Sequence, residues 1–342
     1  MTTTNAPDNV FPVTAFTSDL PSSLIPQPQP QSQSQPQSTN PEDDSKQPPA
    51  RRLIIIGDVH GMRHSLETLL AKLAFNKDAG DHLILTGDLV NKGPDSPGVL
   101  DLAMRLGASA VRGNHDNAVL NAHAEIASAG GWSEFQIPEK YTDSPVNKYT
   151  TTMALSSDHM KWLASLPLAI RMKIPPEGVV VGSGSERAFG GSETLIVVHA
   201  GLVPGVELEE QDPHAVMHLR SLVPVPGNGD SSDNNSSSNS ERKDQFSPAE
   251  EHGDESWVAT WDRYQETVAA SKTSVVFGHD AKRKLQLGKY ATGLDSGCLY
   301  SGRLSALVIE VSEDGNSLQK SIVQVECADE PVAPKEKGKE GK

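Results

Sequence analysis

Leu53-Ile54-Ile55-Ile56-Gly57-Asp58-Val59-His60-Gly61 joins a run of apolar, mostly β-branched residues to a glycine-flanked turn. Such a run reads as a buried strand, and the glycines permit a tight turn with a ligand close to the backbone. Asp58 and His60 are two residues apart and fall on one side of that turn. A carboxylate with an imidazole is a common pair of ligands for a first-row metal. Taken alone, a capping Asp beside a surface His accounts for the stretch just as well.

The pattern recurs, and the recurrence separates the two readings. His82 to Thr86 is a second apolar strand, ending in Gly87-Asp88-Leu89-Val90-Asn91-Lys92-Gly93-Pro94. Ala108 to Val111 is a third, ending in Arg112-Gly113-Asn114-His115-Asp116. Carboxylates brought together at neighbouring strand ends repel unless they share a cation, and coincidental caps leave the repetition unexplained. Asn114 offers a neutral oxygen ligand, and His115 a proton donor in the range where imidazole titrates. Val198-His199-Ala200-Gly201 and Phe277-Gly278-His279-Asp280 put two more histidines where a strand meets its loop. A lone His there is more often structural, but a metal centre already holding carboxylates needs such partners. No role falls to His64, His82, His123, His159, His214, His218 or His252.

Between the first two strands, Leu66, Leu69, Leu70 and Leu73 recur at helical spacing, and Val99 to Leu106 repeats the pattern after a turn at Pro94 to Gly98. The early chain is therefore alternating α/β. Ala169 to Lys173, Gly178 to Val181, Leu195 to Val198, Ser274 to Phe277 and Leu304 to Val311 read as later strands with fewer helices between them. They predict a second, more antiparallel sheet. The expected fold is an α/β protein, a two-sheet β-sandwich flanked by helices, forming one domain over residues 51–328. Residues 1–50, a Gln/Pro/Ser-rich arm, and about 227–253, a polar insertion, are expected to be disordered, and 329–342 is a charged tail.

A formal net charge of −15 argues against a duplex nucleic-acid partner, which requires an extended basic surface. Cys298 and Cys327 offer no disulfide framework and no Cys-x-x-Cys metal site, which favours a reducing compartment. No apolar run has the length of a membrane span and no secretory signal is visible, so the expectation is a cytoplasmic protein, or a nuclear one, without a membrane partner. The arm is a candidate segment for binding other proteins.

In their order, Gly57-Asp58-Val59-His60-Gly61, Gly87-Asp88-Leu89-Val90-Asn91-Lys92-Gly93, Gly113-Asn114-His115-Asp116, His199-Ala200-Gly201 and Gly278-His279 resemble the calcineurin-like metallophosphoesterase superfamily in its phosphoprotein-phosphatase branch. The block Gly293-Leu294-Asp295-Ser296-Gly297-Cys298 resembles most the symmetrical diadenosine tetraphosphate hydrolases and the related ApaH-like phosphatases, which include fungal endopolyphosphatases. The resemblance implies two divalent ions, Mn, Zn, Fe or Co, roughly 3.5 to 4 Å apart. Asp58, His60 and Asp88 would hold one and Asp88, Asn114, His199 and His279 the other, with hydroxide generated between them attacking phosphorus. It also implies that His115 protonates the leaving oxygen.

Protein Ser/Thr phosphatases carry Asp-Arg-Gly where this chain has Asn91-Lys92-Gly93. Asn91 has no charge to support an imidazolium, and Lys92 brings a point charge in place of a bidentate fork. Asp116 and Asp295 are the candidates to orient His115 instead. The variation favours phosphoanhydride substrates, polyphosphate or dinucleoside polyphosphates. Phosphoprotein hydrolysis is the alternative, with RNA-cap removal and a non-catalytic scaffold further off. For the substrate's remaining charge the candidates are Lys92, Asn114, Arg112, Lys282-Arg283-Lys284 and Arg263. Trp257 and Trp261, four apart, read as a buried helix face.

Overall fold

The computed structural model describes residues 10–27, 51–174, 179–181, 188–225, 245–269, 271–312 and 317–332. Two six-stranded sheets pack face to face. The first runs β4 (Ser109–Ala110), β3 (His82–Leu85), β2 (Arg52–Ile56), β13 (Arg303–Val311), β14 (Leu318–Glu326) and β6 (Val179–Val181). The second runs β1 (Thr17–Asp19), β5 (Ala169–Lys173), β7 (Thr194–Val198), β10 (Thr273–Phe277), β12 (Ala291–Gly293) and β11 (Gln286–Leu287). β8 (Ser221–Val225) and β9 (Gln245–Ala249) form a separate antiparallel pair.

The unbroken apolar run of β2 follows from burial on both faces. Leu53 and Ile55 point inward with Ile84, Val197, Val276 and Leu307 to fill the space between the sheets. Ile54 and Ile56 point outward beneath α1 (Arg63–Lys72), α2 (Ser96–Leu106) and α5 (Ser157–Ser165), meeting Leu66, Leu69, Leu100 and Leu163. The outer face of the second sheet is covered in the same way. There Val198, Val275 and Phe277 meet Val216 of α6 (Pro213–His218) and Trp257 and Trp261 of α7 (Trp257–Thr267). The layers are therefore α/β/β/α, as the strand and helix pattern implies. α2 shows how local chemistry sets an element's ends: Asp95 caps it by accepting from Gly98 N–H (2.8 Å), and Gly107 closes it at a left-handed φ of 67°.

Four expectations are corrected. The second sheet is no more antiparallel than the first, since β1–β5, β7–β10 and β10–β12 are parallel, matching β4–β3, β3–β2 and β14–β6. The arm is not wholly unstructured: β1 pairs with β5, and Val10, Val13 and Phe16 pack against the core. These few apolar residues, placed before the Gln/Pro tract, supply the burial that composition averaged over fifty residues conceals. Part of the insertion is folded as well, because β9 pairs with β8 and Phe246 packs against the core on the outer face of the second sheet. Residues 1–9 and 28–50 of the arm, 227–244 of the insertion and 333–342 of the tail lie outside the described residues. Finally, Cys298 and Cys327 form a disulfide with Cα atoms 5.4 Å apart, because the β13–β14 register sets Arg303 opposite Glu326 and returns the next residue to the loop before β13. The argument for a reducing compartment loses its premise. No helix among the described residues is long and apolar enough to cross a membrane.

Candidate active site

β2, β3 and β4 of one sheet and β7 and β10 of the other all end at the same edge of the sandwich, and each delivers residues of the sequence motifs there. The turns lock one another. His60 N–H donates to Asp88 O (2.7 Å), His115 N–H to Asp88 Oδ1 (2.8 Å) and His279 N–H to Asp58 Oδ1 (3.0 Å). This meshing demands glycine at close approaches: a Cβ on Gly113 would overlap the backbone nitrogen and carboxylate of Asp88. It also forces His60, Asp88, Asn91, Lys92 and His279 to positive φ, between 47° and 72°. Non-glycine residues rarely adopt that region, and its concentration here is backbone strain stored at one site.

The six candidate ligands come together. Asp58, Asp88 and His199 bring one donor atom each to within 4.8 Å of the others. His60 Nε2 lies 3.3 Å from Asp88 Oδ2 and 3.9 Å from Asp58 Oδ2. His199 Nε2 lies 3.0 Å from Asn114 Oδ1 and 3.4 Å from Asp88 Oδ1, and the His199 and His279 rings are 4.9 Å apart between centroids. Each histidine spends its other nitrogen on a backbone carbonyl: His60 Nδ1 on Val90 (3.4 Å), His199 Nδ1 on Thr86 (2.9 Å) and His279 Nε2 on His218 (3.0 Å). A nitrogen that donates to a carbonyl carries the proton, so the inward nitrogen of each ring presents a lone pair.

Lone pairs of His199 and Asn114 at hydrogen-bond distance, with a carboxylate oxygen beside them and no hydrogen to share, fit a cation. The electrostatics agree. Burial pushes Asp58 well above the usual carboxylate range, helped by Asp295 and Asp88, and raises Asp88 and Asp295 each to about 6. Burial also holds His60 and His279 well below the ordinary imidazole value and His199 at about 3. Clustered acids that resist ionisation beside neutral imidazoles are the surroundings that divalent ions stabilise.

His115 faces a cavity of about 960 Å³ whose lining includes Lys92, Asn114, His218, Lys140 and Tyr300. Its orienter is Asn91, whose Nδ2 lies 3.0 Å from His115 Nδ1. Neither of the two aspartates proposed from sequence takes that place. Asp116 clamps the Leu89, Val90 and Gly113 amides, and Asp295 accepts from Gly297 N–H and acts electrostatically on Asp58. Lys92 stays in the site; burial lowers its pKa, opposed by Asp88, Asp58 and Asp295.

Two substrate-binding candidates are corrected. Arg112 is fully buried and points away from the cavity, with Nη1 on Phe11 O (2.8 Å) and Nη2 on Ala164 O (2.9 Å). Arg263 is an exposed residue of α7 that forks onto Glu255 at 2.5 and 2.7 Å. Arg263→Ala is accordingly expected to leave KM within about twofold of wild type and to cost under about 1 kcal/mol, as steady-state kinetics and a thermal melt would show. Arg283 is engaged by Asp280, and Lys284 lines a different cavity. The residue missed is Arg220, just past α6, whose charge acts on Asp88, His199 and His279. Its signal was its position, two residues beyond His218 and before the polar insertion, which gives no motif.

The chain belongs to the calcineurin-like phosphoesterase family, whose sequence model matches residues 51–287. It is a hydrolase of that family. It is 23% identical over 291 residues to a zinc-dependent endopolyphosphatase of Saccharomyces cerevisiae, covering 81% of this chain and 82% of the yeast protein. It is 31% identical over 159 residues to a symmetrical bis(5'-nucleosyl)-tetraphosphatase of Photorhabdus laumondii, spanning 46% of that enzyme's length and 45% of its own. A crystal structure whose assignment as a diadenosine tetraphosphatase is provisional superposes with a TM-score of 0.55 at 31% identity, over 80% of this chain and 93% of that one.

Proposed function

We propose that the chain hydrolyses phosphoanhydride bonds of polyanionic substrates, inorganic polyphosphate or dinucleoside polyphosphates. Two divalent ions would be held by Asp58, His60, Asp88, Asn114, His199 and His279. Bound there, such ions lower the pKa of water and offset charge on the phosphoryl group. Lys92 and Arg220, both half-buried, supply fixed positive charge toward the phosphate oxygens, less screened there than on an open surface.

The observation that carries the choice of bond is the Asn91–His115 contact. Asn91 Oδ1 accepts from Lys92 N–H (2.9 Å) and from the Thr151 hydroxyl (3.4 Å), so its amide nitrogen faces His115 as donor. His115 Nδ1 therefore accepts, and the ring proton sits on Nε2 as a hydrogen-bond donor on a neutral imidazole. Such a ring can stabilise a departing oxygen but is a poor proton source, because giving up that proton leaves an imidazolate. A leaving phosphate is a weak base and departs with a hydrogen bond alone. A serine alkoxide needs a proton. The same yeast and bacterial relatives, named for polyphosphate and dinucleoside tetraphosphate, support the anhydride reading.

Purified protein incubated with polyphosphate, diadenosine tetraphosphate and a phosphoserine peptide, each with Mn, Zn or Co, tests it through phosphate release. Faster turnover of the peptide would overturn the proposal. Asn91→Asp should invert the contact, since a carboxylate accepts from Nδ1–H and supports an imidazolium. The expected result is a rise of at least about tenfold in phosphopeptide turnover relative to polyphosphate turnover. An unchanged ratio would show that Asn91 does not set the His115 proton.

A further inference from the structure

Residues 327–332 leave β14, pass along a neighbouring cavity that Cys327, Asp329 and Pro331 line, and end at Val332 in the lining of the catalytic cavity, beyond the residues that the family model matches. They are held at three points. Cys327 is bridged to Cys298 across a Cα separation of 5.4 Å, within the ordinary reach of a disulfide. Asp329 reaches the start of α1, where its carboxylate accepts from the backbone N–H of His64 (3.3 Å) and Ser65 (2.7 Å) and from the Ser65 hydroxyl. It thereby supplies the cap that Met62, at the N-cap position, does not. Val332 N–H donates to Leu299 O (2.8 Å), and Val332 lines the cavity near Tyr300. These anchors grip the two pieces that border the site: the Cys298–Tyr300 turn, three residues past Asp295, and the helix that follows Asp58 and His60.

We propose that the Cys298–Cys327 bridge holds residues 327–332 as a strap that sets Val332 and the Cys298–Tyr300 turn against the substrate cavity, and that cutting the bridge with a dithiol lowers substrate affinity while leaving the reacting groups in place. The cut is thiol–disulfide exchange: one thiolate of the dithiol attacks a sulfur, the second resolves the mixed disulfide, and the two cysteines take up two electrons and two protons. Cys327 is the accessible sulfur, since it lines an open cavity of about 670 Å³ beside Arg303 and Lys284, whereas Cys298 is buried. Freed of the bridge, the strap keeps the Asp329 and Val332 hydrogen bonds and the partial packing of Val332 against the core, and substrate must then help to order it on binding, a cost that falls on affinity.

That this cavity takes the substrate rests on the proposed function; the bridge and the strap do not. The full chain, isolated without reductant, is therefore followed by three readouts. Alkylation with mass analysis should find no free thiol before dithiol treatment and two after it. Amide hydrogen exchange over 328–332 should accelerate once the bridge is cut. KM for polyphosphate or diadenosine tetraphosphate should rise about fivefold, equivalent to about 1 kcal/mol, with kcat changed less than about twofold. Cys327→Ser should show the raised KM without reductant and no response to it, which also controls for chelation of metal by the dithiol. Asp329→Ala should raise KM with the bridge intact. Two free thiols in the protein as isolated, unaltered exchange after cleavage, or the same KM with the bridge open and closed would each overturn the proposal. Were neither substrate turned over, the activity reading would fail by itself, and thiol mapping with exchange would still decide the strap.

Discussion

Asp88→Asn is expected to reduce kcat by at least about a thousandfold on any substrate the wild type hydrolyses, with far-UV circular dichroism unchanged. Asp88 is the residue that both halves of the site share. One carboxylate oxygen faces His60 and the other faces His199, at 3.3 and 3.4 Å, and Oδ1 also accepts the His115 amide. An amide of the same shape keeps that last hydrogen bond and removes the charge around which the donors are arranged. The stability effect should run the other way. Burial raises the Asp88 pKa from 3.8 to about 6, so in the metal-stripped protein its ionisation opposes folding. The acid form stabilises fully below its unfolded value, and this contribution is lost as pH rises through about 6. At pH 8 the stripped variant should therefore melt at or above the stripped wild type, while added Mn or Zn should raise the melting temperature of the wild type alone. Unchanged turnover would remove the metal-site proposal altogether; lost turnover with a lowered melting point of the stripped protein would point to a folding role for Asp88.

How much of this was legible in sequence depends on whether a residue's partner is nearby in the chain. The strand-end turns were readable because an apolar run, a glycine and a polar ligand stand side by side, and all six candidate ligands converge as their motifs imply. α1 and α2 were readable from leucine spacing. α3 (Asn114–Ser128) has no such leucine repeat, since it buries Val119, Leu120, Ala122 and Ile126 among alanines and asparagines. The partner of His115 was misassigned because charge was sought. What holds the ring is an amide whose orientation is fixed by Thr151, sixty residues on. The disulfide and the Asp329 cap, 29 and 264 residues apart in sequence, depend on the register of β13 with β14, which no local pattern encodes.

Arg112 is the sharpest instance, because its neighbours in sequence mark it as a phosphate ligand and its neighbours in space mark it as a structural tie. Arg112→Ala is expected to destabilise the fold by about 3 to 5 kcal/mol, combining the cavity left by a large buried side chain with two carbonyls that lose charged donors. Those carbonyls belong to Phe11 and Ala164, so the guanidinium fastens the N-terminal arm to α5; its carbon lies 5.8 Å from the Phe11 ring centroid. Phe11 N–H also donates to Asn117 Oδ1 (2.9 Å), on the first turn of α3 after His115. A released arm therefore loosens the helix that carries Asn114 and His115. The expected signature is a melting temperature lower by roughly 10 °C together with protease cleavage before residue 20, and a fall in kcat with little change in KM. Arg112→Met keeps much of the buried volume and should lose less stability than the alanine variant, yet release the arm equally, since it cannot donate to either carbonyl. A phosphate-binding Arg112 would give the opposite result: raised KM, an unaltered melt and an arm as resistant to protease as in the wild type.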